Sequence, residues 1–285
     1  MNALFAPGFF TNGIVHSALI VGAVVAVVAA VVGTFTVLRA QSFAGHALGE
    51  VGATGGSAAI LAGTNPLWGF IGIAVVAAAA IELLGVRQPR SRDLATGLVL
   101  GAGLGLAALF LYLGTTSQST TGASITVLFG SLFVVSMQMV PSIVTLSIVA
   151  LAIVVVCYRR LLLTSLNPDL AAARGVSLRP VSALYLLALA IAVSLSAETI
   201  GAVLSTALLV GPPAAALRLT KRPIAALVAA AGIGVLATWL GILLAYDSYT
   251  WPPSGRGWPV SFFIVVFVFC FYLLAQLRGR KVTRG

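Results

Sequence analysis

The chain has 285 residues, of which 60% are apolar and only 8% are charged, and its mean hydropathy is +1.12. About a quarter of the residues in ordinary soluble domains are charged, so this composition excludes a soluble globular protein. It is typical of a helical protein that crosses the membrane several times. The net charge of +10 does not indicate nucleic-acid binding, because the basic residues stand in short clusters between apolar runs.

The apolar runs predict an all-α, polytopic transmembrane helical bundle of about nine spans, with eight to ten spans compatible with the pattern. We expect residues 1–285 to form a single transmembrane domain. Residues 124–135 are apolar but too short to cross a bilayer, so we expect a short helix that packs near the outer surface or dips back into the protein. The nine predicted spans, each near the ~20 residues that a bilayer requires, are 14–38, 44–63, 67–86, 94–114, 138–158, 178–197, 200–217, 223–246 and 258–277.

The positions of the basic residues predict the orientation of the bundle. Loops on the cytoplasmic side of membrane proteins are enriched in Lys and Arg. If the N-terminus is outside and the C-terminus is cytoplasmic, only Arg256 falls on the outer side. The other fifteen fall on the cytoplasmic side, and they are Arg39, Arg87, Arg90, Arg92, Arg159, Arg160, Arg174, Arg179, Arg218, Lys221, Arg222, Arg278, Arg280, Lys281 and Arg284.

The stretch S-F-A-G-H-A-L-G-E at 42–50 contains the candidate metal-binding pair, His46 and Glu50. Residues four apart share one face of a helix, so the imidazole and the carboxylate are expected to point toward the same place. They are a nitrogen and an oxygen ligand for a divalent transition metal. The alternative is that they only hydrogen-bond each other, but ionisable groups inside a membrane segment favour a functional site.

The depth of this pair has two interpretations. In the predicted topology His46 lies only a few residues past the cytoplasmic surface. Either the second span begins deeper in the membrane than its sequence bounds indicate, or the site belongs to the inner half of the membrane.

The segment between the fifth and sixth spans predicts a short cytoplasmic helix at about 167–176. It begins with a capping residue, a proline and an acid, which together favour a helix start, and it ends at a glycine. The helix is either an ordinary connector or a docking helix for a cytoplasmic partner. The residues assigned to it are Asn167, Pro168, Asp169, Ala172, Arg174 and Gly175.

The seventh span contains Pro212 and Pro213. Proline lacks the N–H that continues a helix, so we predict a break in this span. The break is either a structural kink or part of a transport pathway, where discontinuous helices are common.

Three stretches together resemble the permease subunit of bacterial ABC importers for zinc, manganese and iron, the metal-uptake ABC-3 family. They are V-L-R-A-Q-S-F-A-G-H-A-L-G-E, N-P-D-L-A-A-A-R-G-V and the seventh span, G-A-V-L-S-T-A-L-L-V-G-P-P-A-A-A. The family patterns are L-R-R-M-S-x-x-G-D-A-L-S-H-A, D-P-E-x-A-x-x-x-G and G-x-L-L-V-x-A-L-L-V-x-P-A-A-x-A. The family's Asp and His ligands fall on His46 and Glu50, so the nitrogen and oxygen ligands exchange places; its Ser and Pro fall on Gly49 and Thr54.

The resemblance implies a transport subunit that is not itself an enzyme, in the membrane of a bacterial cell. It implies import of a divalent ion, zinc or manganese first and iron third, by alternating access, with no permanently bound cofactor. The implied partners are a second permease copy, two cytoplasmic ATPase subunits, an extracytoplasmic metal-binding protein and the membrane lipid. The helix at 167–176 would be the coupling helix that sits on the ATPase, and this chain contains no G-x-x-x-x-G-K-[S/T] sequence for binding ATP itself.

Three other functions remain open at this point. A permease for a larger chelate, such as a siderophore or cobalamin, would not need a His/Glu pair in its path. A proton-coupled secondary transporter would use Glu50 as its proton carrier and would leave the docking helix without a role. A structural or assembly protein would explain neither the pair nor the prolines in the seventh span.

Overall fold

The computed structural model describes residues 9, 12–84, 89–117, 127–130, 132–133, 135–251 and 257–282, and the regular structure in these residues is helical. Two short 3₁₀ turns, Met137–Met139 and Ser248–Thr250, flank longer helices. The α-helices are α1 (Gly13–Leu38), α2 (Ser42–Leu61), α3 (Pro66–Leu84), α4 (Pro89–Ser117), α5 (Val140–Leu166), α6 (Pro168–Ala173), α7 (Leu178–Ile200), α8 (Ala202–Leu219), α9 (Pro223–Asp247) and α10 (Val260–Val282).

The all-α, multi-spanning fold predicted from the sequence is confirmed, and a long helix lies at each of the nine predicted spans. Eight helices of the described chain are long and apolar enough to cross a membrane, namely all except α2 and the short α6. α2 has 20 residues but is less apolar. It packs against α3, α4, α7 and α8, and most of its residues are buried. A helix that its neighbours shield from lipid has no need of a strongly apolar surface.

Glycine lets α2 approach its neighbours closely. A Cβ atom added to either Gly55 of α2 or Gly69 of α3 would overlap the carbonyl of the other, so the two backbones are in contact. On the side toward α4, the hydroxyl of Thr54 donates to the carbonyl of Gly103 at 2.7 Å. Small residues and interhelical hydrogen bonds of this kind hold membrane helices together.

The seventh predicted span is one helix, α8, which runs through Pro212 and Pro213 without interruption. Pro213 has no N–H to donate to the carbonyl of Leu209, four residues earlier. That carbonyl packs against Gly33 of α1, where a Cβ atom would overlap it. Both prolines are buried, Pro212 beside Gly234 of α9 and Pro213 beside Gly33. A kink at the prolines and their part in a transport pathway both stay predictions.

The described basic residues lie at one end of the bundle, which we call the basic end. The guanidinium of Arg39, at the end of α1, donates to Thr164 Oγ1 at 3.1 Å and lies 5.0 Å from the ring centroid of Tyr185. These contacts bring the end of α5 and the beginning of α7 to the same level. Because successive spans alternate in direction, the ends of α8 and α10 reach this level too. The predicted assignment of this end to the cytoplasm stays a prediction.

Several of the arginines and lysines used for that prediction lie outside the described residues or have side chains that the structure does not describe. They are Arg87, Arg90, Arg92, Arg256, Arg280, Lys281 and Arg284.

The described part of the short apolar segment 124–135 does not cross the bundle. Residues 127–129 are helical, and the following Gly130 (φ 80°) packs against the turn at Gly201 (φ 92°) that joins α7 to α8. The hydroxyl of Tyr185 on α7 donates to Thr36 on α1, so these two residues lie at the same level. From that level to the outer end, α7 has 15 residues and α1 has 23. The turn at the end of α7 therefore lies about 12 Å below the outer end of α1. The segment therefore reaches into the bundle.

Candidate functional site

His46 and Glu50 both lie on α2, one turn apart, and both side chains are half-buried. The imidazole Nδ1 of His46 lies 3.0 Å from the hydroxyl oxygen of Thr206 on α8. The hydrogen bond of His46 is therefore made to another helix and not to Glu50. The second ring nitrogen of His46, Nε2, takes no part in this hydrogen bond.

Two glycines on α2 allow α8 to come close enough for this bond. A Cβ atom on Gly45 would lie 2.6 Å from Leu209 Cδ2, and one on Gly49 would lie 2.8 Å from Ser205 Oγ. A larger residue at either position would require the facing side chain of α8 to move. The two glycines near His46 thus favour the close packing in which Thr206 reaches its imidazole.

Thr206 is a site residue that the sequence interpretation missed. It lies in the predicted seventh span, 160 residues from His46, and an interhelical hydrogen bond leaves no periodic pattern in a sequence. The only available signal was a Ser-Thr pair, Ser205 and Thr206, in an apolar run. Ser205 donates to the carbonyl of Ala202 within its own helix, so only the second hydroxyl of the pair serves His46.

The contacts of α2 bear on the depth of the site. Thr206 is 13 residues from Leu219, the last residue of α8, which corresponds to roughly 20 Å along that helix. His46 is only four residues from the start of α2, and the adjacent Gly45 lies against Thr36 of α1, three residues before Arg39. A tight turn at Ala40 (φ 53°) joins α1 to α2. The two interpretations of the depth of the pair both stay predictions.

One copy of the chain supplies two candidate ligands at this site. Among the described residues, no group of three or more His, Cys, Asp or Glu side chains is placed to hold a metal ion. The carboxylate of Glu82, elsewhere in the bundle, accepts a hydrogen bond from Ser182 at 2.9 Å. Protein-bound zinc commonly takes four ligands. His46 and Glu50 of one copy would supply two of them.

The short helix α6 lies where the sequence predicted it, at the basic end of the bundle. The side chain of Asn167 accepts a hydrogen bond from the backbone N–H of Leu170 at 2.9 Å and caps the helix. The helix ends before Gly175 (φ 73°), a conformation that favours glycine. Except for Ala171, which is buried, its residues are exposed. The six residues predicted for this element thus lie in or directly beside one short helix.

Comparison with known proteins places this architecture in a family. A model of the ABC 3 transport family matches residues 12–276. The manganese transport system membrane protein MntC of Listeria innocua is 25% identical over 243 residues, which are 85% of each chain. The zinc uptake system membrane protein ZnuB of Haemophilus influenzae is 24% identical over 241 residues, covering 84% of this chain and 91% of the relative.

Solved structures show the same fold. PsaBC from Streptococcus pneumoniae, in complex with Fab, has a chain that superposes with a TM-score of 0.80 at 25% identity, covering 96% of this chain and 95% of the other. A putative metal-chelate type ABC transporter in an inward-facing conformation superposes with a TM-score of 0.76 at 16% identity, covering 95% and 88%. At that lower identity the likeness concerns the fold alone.

Proposed function

Because this chain belongs to the ABC 3 transport family and is a permease of a metal ABC importer, we propose that it carries a divalent ion, manganese or zinc, into the cytoplasm by alternating access. Relatives named for manganese transport, 25% identical, and for zinc uptake, 24% identical, support these two metals. Iron, which the sequence resemblance also implied, is a third candidate.

The observation that carries the proposal is the placement of His46 and Glu50. They occupy the two ligand positions of the family motif, one turn apart on a buried helix. Two copies of the chain would supply two imidazoles and two carboxylates, which completes a four-ligand shell for one ion. A transport site must also release its ion, so ligands divided between two moving subunits are suited to the task.

Thr206 is assigned a positioning role in this site. A neutral imidazole ligates a metal only through a nitrogen that carries no proton. If the Nδ1–H of His46 donates to Thr206, the Nε2 lone pair is left for the ion. A hydrogen bond on the far side of a ligating imidazole also fixes the orientation of the ring.

Energy for transport is assigned to separate subunits. Two cytoplasmic ATPase subunits would close on binding ATP, and α6 would transmit this motion to the spans. Residues Asn167 to Gly175 form a capped, solvent-facing helix with no evident role in the membrane. An extracytoplasmic metal-binding protein would deliver the ion at the opposite end.

Uptake of radioactive manganese and zinc by the complex in vesicles tests the site. His46→Ala and Glu50→Gln should each abolish or sharply reduce uptake, because each removes a ligand. Glu82→Gln is the matched control, since it neutralises a carboxylate that is bonded to Ser182 and lies outside the pair. Normal uptake by folded His46→Ala would contradict the two-ligand site. Loss of uptake in Glu50→Gln with full activity in His46→Ala would instead indicate a proton carrier.

A further inference from the structure

A crevice at the basic end of the bundle forms a cavity of about 290 Å³ that does not include His46 or Glu50. Its walls are the final turns of α1 and α5 and the connection from α8 into α9. Both α5 and α9 pack against α1, so α1 forms the floor between them. Nothing in the transport mechanism requires an opening at this place.

The inner part of the crevice is apolar. Phe35 of α1 and Ala226 of α9 line it and are buried. The hydroxyl of Thr34, which also lines it, already donates to the carbonyl of Ala30 at 2.8 Å. Because the hydroxyl of Thr34 is already bonded inside its own helix, this region suits an apolar occupant and not an ion or a sugar.

The rim of the crevice is cationic. Lys221 and Arg222 line it, both exposed, immediately before the first residue of α9. The positive end of the α9 dipole adds to their charge. All six carboxylate residues of the chain are in the described part, and none lines the crevice. The rim therefore has two positive charges and no acid to neutralise them.

Exposed apolar side chains flank the mouth of the crevice. Leu166, the last residue of α5, is 65% exposed, and Ile224 at the start of α9 is 66% exposed. Surfaces of this kind in a membrane protein face the acyl chains of lipid. A molecule entering from the bilayer would thus meet apolar walls inside and two cations at the level of the head groups.

We propose that this crevice binds an anionic phospholipid, with one acyl chain between α5 and α9 against α1 and the head-group phosphate on Lys221 and Arg222. Basic pockets between membrane helices are suited to such head groups. Free phosphate would use the rim but leave the apolar part unexplained, and a protein partner would not need a narrow apolar cavity. The site is independent of which metal the permease carries.

The test uses the full-length permease in detergent, with dioleoyl phosphatidylglycerol and dioleoyl phosphatidylcholine as probes and native mass spectrometry to count bound lipid. We expect the anionic lipid to bind more tightly and the double variant Lys221→Gln/Arg222→Gln to weaken it by roughly fivefold per charge removed. Arg159→Gln/Arg160→Gln is the matched control, because these exposed bases lie at the same end but outside the crevice. Leu38→Trp, which fills the crevice from α1, should weaken binding of the anionic lipid without changing charge.

Four outcomes would overturn the proposal. The first two are equal binding of the two lipids and equal effects of the two double variants on lipid binding. The third is displacement of the lipid by millimolar inorganic phosphate together with unchanged lipid binding in Leu38→Trp. The fourth is that Lys221→Gln/Arg222→Gln loses binding of the ATPase subunit but keeps its binding of lipid. A thermal melt in detergent establishes that each variant is folded before its lipid binding is compared.

Discussion

The hydrogen bond between His46 and Thr206 gives the sharpest test of the metal site. Thr206→Val keeps the branched shape of the side chain and removes only the hydroxyl. The bond is 3.0 Å long and half-buried, so its loss should cost about 1 kcal/mol per copy. If two copies share one ion, the loss is about 2 kcal/mol, or roughly 30-fold in metal affinity. This lies within the 10–100-fold range known for such supporting bonds.

The assay is equilibrium binding of radioactive manganese and zinc to the purified permease dimer, followed by uptake in vesicles. Thr206→Ser restores the hydroxyl and should recover most of the affinity, which a purely steric role of the side chain would not produce. Ser205→Ala is the control, because that hydroxyl bonds within its own helix. Metal affinity of folded Thr206→Val within about twofold of the unchanged protein would refute this account of His46.

The remaining predictions concern topology, coupling and packing. An impermeant thiol reagent applied to intact cells should label Ala3→Cys and not Thr283→Cys in a background without other cysteines; the reverse pattern would overturn the orientation. Asp169→Lys should leave the permease in the membrane but uncouple ATP hydrolysis from uptake, and normal coupling would remove α6 from the mechanism. Gly33→Ala should lower the free energy of unfolding by roughly 1–3 kcal/mol in a detergent melt, because its Cβ overlaps a carbonyl of α8. Gly72→Ala, which faces open space, should not lower it.

The sequence predicted the positions of the long helices because length and apolarity follow directly from the thickness of a bilayer. It did not indicate that α8 runs as one helix through Pro212 and Pro213. Gly33 of α1 lets the freed carbonyl of Leu209 pack closely there. The contact between Gly33 and the carbonyl of Leu209 joins two helices, so no single segment of the sequence predicts it.

In the candidate site, too, the sequence predicts what lies on one helix but not what depends on the packing of two. The i, i+4 spacing on one helix brought His46 and Glu50 together in the prediction. The contact with Thr206 depends on how α2 and α8 pack against each other. The glycines at 45 and 49 favour that close packing, and their effect appears only when the facing residues are known.

The exchanged order of ligands leads to the last prediction. A threonine hydroxyl both donates and accepts hydrogen bonds. Thr206 is therefore able to accept from an imidazole N–H at position 46 and equally able to donate to a carboxylate at that position. The double variant His46→Asp/Glu50→His restores the family order, and we expect it to keep its supporting bond and a substantial part of its uptake.

The single variant His46→Asp is the informative control for that exchange. It leaves two carboxylates one turn apart and no imidazole, so it should lose uptake of zinc more than of manganese, since zinc takes nitrogen ligands and manganese suits oxygen ligands. Uptake of both metals by each variant, with expression and folding verified, measures the comparison. A folded double variant that is inactive would mean that the order of the two ligands matters, and that a hydroxyl serving both orders is not sufficient to orient them.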